Sequence, residues 1–158
     1  MTATEKLQSL LGEIGREIGE ELRLDADGEC QVETDLGDEI VVTAVDEAGM
    51  VVVSLPIALV PADDAAAGAL LREAMTINDD LALTGGTCLC LAPGHDMMVL
   101  RGAVEASALD AAALWQRMTL MVPLADEMRE HLVRGERLAD DAGPDEAVRD
   151  QIAGLIKV

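Results

Sequence analysis

The chain has 158 residues, 31 of them acidic against 11 basic, for a formal net charge of −20 at pH 7 and a pI near 4.1. Half of its residues are hydrophobic, which is enough for one domain to close a core that removes about 68–70% of its unfolded surface from water. Nucleic-acid binding needs Lys and Arg against phosphate and aromatic rings against bases, and a chain this acidic, with one Trp and no Phe or Tyr, supplies neither.

No stretch reaches the roughly 18–20 apolar residues of a membrane span, and the opening MTATEKLQSLLGEIG has no basic segment followed by an apolar one. A cytoplasmic setting without membrane contact is therefore expected. Cys30, Cys88 and Cys90 are odd in number and too few for a disulfide framework, as suits a reducing compartment. The acidity suits a partner that is basic, polar or prone to aggregate.

Leu7, Leu10, Leu11, Ile14, Ile18 and Leu22 recur at helical spacing and predict an amphipathic helix over residues 4–23. Gly12, Gly15 and Gly19 form a stripe beside that face, each costing about 0.8–1.0 kcal/mol relative to Ala, so a close approach is expected there, either by the sheet or by a ligand backbone. Three strands follow between turn signals, over 29–36, 39–46 and 50–57. The first alternates, with Cys30, Val32, Thr34 and Leu36 on one face; the next two are apolar on both faces and are expected to be covered on both sides, by helix, by a partner subunit or by a bound chain.

Pro61, Asp63 and Asp64 open a second helix reaching Ile77, with acids at the positive end of its dipole. Asn78 to Asp80 and Gly85-Gly86 predict irregular chain. A hairpin over 87–92 and 96–104 and a long helix capped by Ser107 come next, with Pro123 expected to kink or divide that helix. The fold class is thus α+β: an antiparallel five-stranded twisted sheet, meander plus hairpin, packed with three helices in the order α-β-β-β-α-β-β-α. Residues 1–135 form the body. Residues 136–158 read as a polar linker and a short C-terminal amphipathic helix carrying Val148, Ile152, Leu155 and Ile156.

Candidate chemistry is sparse. Cys88 and Cys90 share a strand face, but two thiols fall short of the four ligands of a zinc site, and small core residues are the expected role. A thiol nucleophile with His95 or His131 lacks an orienting group and an oxyanion donor in the sequence. The acid pairs read as caps, turns and solvated faces. Asp25-Ala26-Asp27-Gly28 begins like a calcium loop, but Leu36 stands where the closing Glu belongs. Gly85-Gly86 lacks the Lys-Ser/Thr of a phosphate loop. No catalytic residue, metal or cofactor is expected. Eight Met residues, in elements that also build the core, suit either core filling or an adaptable binding surface.

The order helix, meander, helix, hairpin, long helix resembles the Tir-chaperone family, the class I type III secretion chaperones. The resemblance rests on Leu10-Leu11-Gly12 through Ile18-Gly19, on Leu24 to Cys30 entering the first strand, and on Leu55 to Pro61. Asn78 to Gly86 before the Cys-Leu-Cys-Leu strand and Leu109 to Leu114 opening the last helix add to it. It spans about residues 4–134 and implies a homodimer that binds the N-terminal chaperone-binding segment of one or more effectors, keeps it extended and soluble, and assists delivery to components of the secretion apparatus. By the same resemblance the dimer interface is Leu70, Leu71, Met75, Leu89 and Leu91, and the effector groove is Leu7, Leu11, Ile14, Ile18, Val32, Val41 and Val51. The chain departs from the pattern at Pro123 and in its extension from Gly135 to Val158. A regulatory or general protein-interaction module of the same fold, and a thiol enzyme using Cys88 or Cys90 with His95, are the alternatives.

Overall fold

The computed structural model of the protein describes residues 1–34, 37–94 and 96–141, with side chains as far as Arg134. The first helix, α1 (Ala3–Ile18), starts at a reciprocal cap: the Thr2 hydroxyl accepts from the Glu5 N–H at 3.1 Å and the Glu5 carboxylate accepts from the Thr2 N–H at 2.8 Å. It stops five residues short of the expected end because Gly19 turns left-handed at φ 77°. The chain then folds back over Gly15, where a Cβ would lie 2.5 Å from the Glu20 carbonyl oxygen. The close approach expected at the glycine stripe is thus made by the chain's own return, not by the sheet or a ligand; Gly12 has nothing within 4 Å of its Cβ position.

The strands are β1 (Glu29–Glu33), β2 (Glu39–Val45), β3 (Met50–Leu59), β4 (Cys88–Leu91) and β5 (Met97–Glu105), all antiparallel in the order β1-β2-β3-β5-β4. Strand β3 runs two residues beyond its expected end. Pro56 lies inside it, pairs with Val99 and brings a register shift before Ala58, as expected where proline removes a ladder donor. Between β3 and β4 lie α2 (Asp64–Asp79), capped by Asp63 and running through Asn78 and Asp79 where irregular chain was expected, and α3 (Leu81–Thr84), one further turn of helix between the two expected breaks. Asp80 ends the first and starts the second: its carboxylate accepts from the Ala82 and Leu83 N–H groups, both at 3.0 Å.

The last helix, α4 (Ala111–Asp141), is capped by Asp110, which accepts from the Ala113 N–H at 2.7 Å. Ser107, the expected cap, sits instead in a 3-10 turn over Ala106–Ala108. Pro123 does not divide α4: the proline is exposed, and Thr119, four residues before it, is exposed too, so the carbonyl that loses its helical partner can turn to water. The division placed at 135/136 falls within this helix. Residues 142–158, which carry the expected C-terminal stripe, lie outside the described residues, as do Asp35, Leu36 and His95.

One core closes between the helices and one face of the sheet. Leu7, Leu11 and Ile14 of α1, Leu70 and Ile77 of α2, and Leu114, Met118, Met121 and Met128 of α4 meet Val42, Val53, Leu55 and Leu100. Arg129 fastens α4 to the sheet. One of its nitrogens donates to Asp38 and to the Pro56 carbonyl, both at 2.7 Å, and the other donates to Asp126 at 2.8 Å. Gly15→Ala is expected to cost about 1–3 kcal/mol in urea unfolding through overpacking, while Gly12→Ala, with open space, stabilises by about 0.4–1 kcal/mol. Arg129→Met, which leaves Asp38 half-buried and unpaired, is expected to cost about 1–3 kcal/mol in the same measurement.

Candidate functional site

The two faces of the sheet differ in what covers them. Residues Ile40, Val42, Val51, Val53, Leu55, Leu89 and Leu100 point to the helices and are buried. Their neighbours along each strand point the other way, and most of these keep exposed surface: Val41, Val52, Ser54, Pro56, Arg101 and Cys90 are half-buried, and Cys88 and Ala103 are exposed. The apolar second face of β2 and β3 is therefore not covered by any described helix, which leaves a partner subunit or a bound chain among the covers expected from sequence. One cross-strand row of this face reads Gln31, Val41, Ser54, Arg101, Cys88.

The sheet's two edges also differ. At β4, the Asn78 side chain donates to the Leu89 carbonyl at 2.9 Å and accepts from the Leu89 N–H at 2.8 Å. That amide imitates a neighbouring strand and blocks the edge. At β1, Asp25 takes up the backbone groups of Glu29: the Asp25 N–H donates to the Glu29 carbonyl and the Asp25 carboxylate accepts from the Glu29 N–H. Two residues on, the same side of the strand presents the N–H and C=O of Gln31. No described residue outside the ladder bonds to them, so this edge is open for strand addition.

The nominated groove residues divide by burial. Leu7, Leu11 and Val51 are 0% exposed and Ile14 is 2% exposed, so in this chain they are core and offer a ligand no surface. Ile18, at the end of α1, is 40% exposed. Val32, on the helix side of β1, and Val41, on the helix-free side of β2, are half-buried. The fold does not bring these three to one face. Sequence spacing marked the apolar stripe of α1 correctly but could not say which end of the stripe the sheet would cover.

Among the nominated interface residues, Leu70 and Leu89 are buried where α2 packs on β4, while Leu71 and Leu91 are half-buried. Met75 stands out at 73% exposure, with Leu81 at 78% one element further on and Leu59 at 70% at the end of β3. Large apolar side chains this exposed, close in the chain to half-buried ones, mark a surface that another chain can cover. Leu59 and Leu81 were not singled out from sequence, and the turn residues flanking each are the reason.

The thiols overturn one expectation. Cys88 is exposed and Cys90 half-buried, on the helix-free face, so neither fills the core. Burial pushes the Cys90 thiol up, partly offset by the Arg101 charge, and burial likewise raises Cys30. Neither shift makes the activated thiolate a nucleophile needs. Among the described residues, no three His, Cys, Asp or Glu side chains group as metal ligands, and no helix is long and apolar enough to cross a membrane.

With this geometry in place, the sequence profile of the Tir chaperone protein (CesT) family matches residues 9–129. The chain belongs to that family. No protein of curated function matches the chaperone's sequence. Among solved structures, it resembles a chain of the ExsC–ExsE complex, with 16% identity, a TM-score of 0.68, and coverage of 84% of this chain and 97% of that one. A chain of the HopA1–SchA chaperone–effector complex shares 18% identity at a TM-score of 0.62, covering 80% and 95%. A chain from the complex of the Yersinia pestis type III secretion chaperone SycH with a fragment of YscM2 shares 20% identity at 0.56, covering 77% and 98%. At such identities these matches establish the shared fold.

Iodoacetamide is expected to modify Cys88 first, Cys90 more slowly and Cys30 only on unfolding, as read by mass spectrometry of the digested chaperone. Because the Cys90 thiol is raised, its reaction should keep accelerating at pH values where an ordinary exposed thiol has levelled off.

Proposed function

We propose that this chaperone binds, as a homodimer in the bacterial cytoplasm, the N-terminal segment of one or more secreted effectors, holds it extended and soluble, and hands it to the type III secretion apparatus. The family match over residues 9–129 carries this reading, and the chaperone–effector complexes among its structural relatives support it. Its physical requirements are met. An extended client loses much conformational freedom on binding and needs main-chain hydrogen bonds and apolar pockets in return. The open edge of β1, with Val32 beside it and the exposed end of α1 at Ile18, supplies both.

In this reading the body is residues 1–135, the dimer is closed by Leu71, Met75 and Leu91 over the buried Leu70 and Leu89, and no catalysis, nucleotide or metal is involved. The surface charge keeps the loaded complex soluble.

Light scattering on a size-exclusion column tests it. The protein alone should elute at twice 16.6 kDa, and co-expression with the N-terminal region of a secreted protein encoded nearby should raise the mass by one or two client segments. Met75→Glu should give a folded monomer. Ile18→Asp should keep the dimer and weaken client capture at least tenfold, whereas Ile14→Asp places a charge in the core and should unfold the chain. A monomer that captures no client would remove the proposal and leave the general interaction module.

A further inference from the structure

We propose that the helix-free face of the sheet is a second contact surface for the client, and that it takes an apolar segment carrying one central carboxylate, anchored on Arg101. This extends the effector-binding reading and rests on it. Three rows of side chains make the face. The middle row crosses all five strands as Gln31, Val41, Ser54, Arg101 and Cys88. On one side of it lie Thr43, Val52 and Ala103; on the other lie Pro56, Val99 and Cys90. At about 4.8 Å between strands the middle row is roughly 19 Å long, the reach of about six extended residues.

Arg101 is the only cation among the strand residues of this face. It is half-buried, and its Nε donates to the Ser54 hydroxyl at 3.2 Å. That bond lays the guanidinium toward β3 and uses one of its five N–H groups. Among the described residues no carboxylate lies within ion-pairing distance of it, although the chain carries 31 acids. The acids of this face stand at its margin instead, as Glu29, Glu33, Glu39 and Glu105.

This pattern specifies the occupant. A guanidinium fixed by one neighbour, with Val99 two residues along its own strand, Val52 diagonal to it on β3 and Val41 beyond Ser54 on β2, is pre-organised for a carboxylate, and an apolar segment laid over these positions excludes water from the pair once it forms. The acidic margin repels further carboxylates and favours basic residues at the ends of the segment. A client stretch of alternating β-branched residues, with an acid at its centre and lysine or arginine outside, meets every one of these features. Cys88 and Cys90 border the same surface, so occupation should also shield them.

The test uses the full chain and two fluorescently labelled peptides, KTVTETVTK and KTVTKTVTK, which place valines beside the central charge on one face of an extended segment, followed by polarisation at constant ionic strength. The glutamate peptide should bind the wild-type chain at least tenfold more tightly than the lysine peptide, and should slow alkylation of Cys88. Arg101→Glu should reverse the order, and Arg101→Gln, which keeps a hydrogen-bonding group without the charge, should abolish the preference. The same ranking on wild type and Arg101→Glu, or no saturable binding of the glutamate peptide, would overturn the proposal, provided circular dichroism shows the variants folded; should Arg101→Glu misfold, Arg101→Gln decides it. Client capture in co-expression reports separately. Capture unchanged in Arg101→Gln together with no peptide preference leaves the chaperone reading standing and removes this surface, while a clear peptide preference without any captured client does the reverse.

Discussion

The covered face of β3 is the constraint on which the other elements depend. Val51, Val53 and Leu55 on that face have no exposed surface, and the strand is paired on both sides, by β2 and by β5. Burying each such side chain contributes about 1.5–3 kcal/mol relative to exposure, and only helices laid across the same face can provide that burial. Helices α1 and α4 do so directly, and α2 packs against α4 and β4. Because all the helices gather on one side, the opposite side of the sheet is left to whatever else binds the molecule.

A single guanidinium connects the two halves of this arrangement. Pro56 removes one ladder donor from β3 and breaks the register there, and its carbonyl is taken by Arg129 from α4. The same side chain pairs with Asp38 at the start of β2. The irregularity in the strand thus becomes the point where the long helix is tied both to the central strand and to the β1–β2 hairpin. That hairpin carries the open edge, so the edge is tied to a helix whose contacting residue lies 91 positions further along the chain.

An acidic envelope and open apolar surface belong together in a protein that holds other chains unfolded. Exposed Met75, Leu81 and Leu59 and the half-buried valines of the free face would favour self-association in a chain of low net charge. At −20, like-charge repulsion between molecules opposes it, leaving those surfaces to contacts with specific geometry. The edges follow the same economy: Asn78 closes the β4 edge with two hydrogen bonds, and only β1 offers its backbone.

Much of this was legible in the residues. Period-two and helical spacing fixed the number, kind and order of the main elements, since the side that a residue faces follows from its position in the repeat. Composition excluded nucleic acid, and the order of elements with its turn residues pointed to the family. What spacing cannot carry is the identity of the neighbour. The apolar stripe of α1 looked continuous from Leu7 to Ile18, yet the sheet covers it only as far as Ile14; the thiols of β4 looked like core and lie on the free face. The glycine stripe promised a close contact, and the chain itself made it at Gly15. The sequence by itself determined which side chains must leave water, because hydrophobicity and periodicity are local. Only the tertiary structure decided which of them the protein covers alone and which it leaves for another chain, because coverage depends on elements distant in sequence.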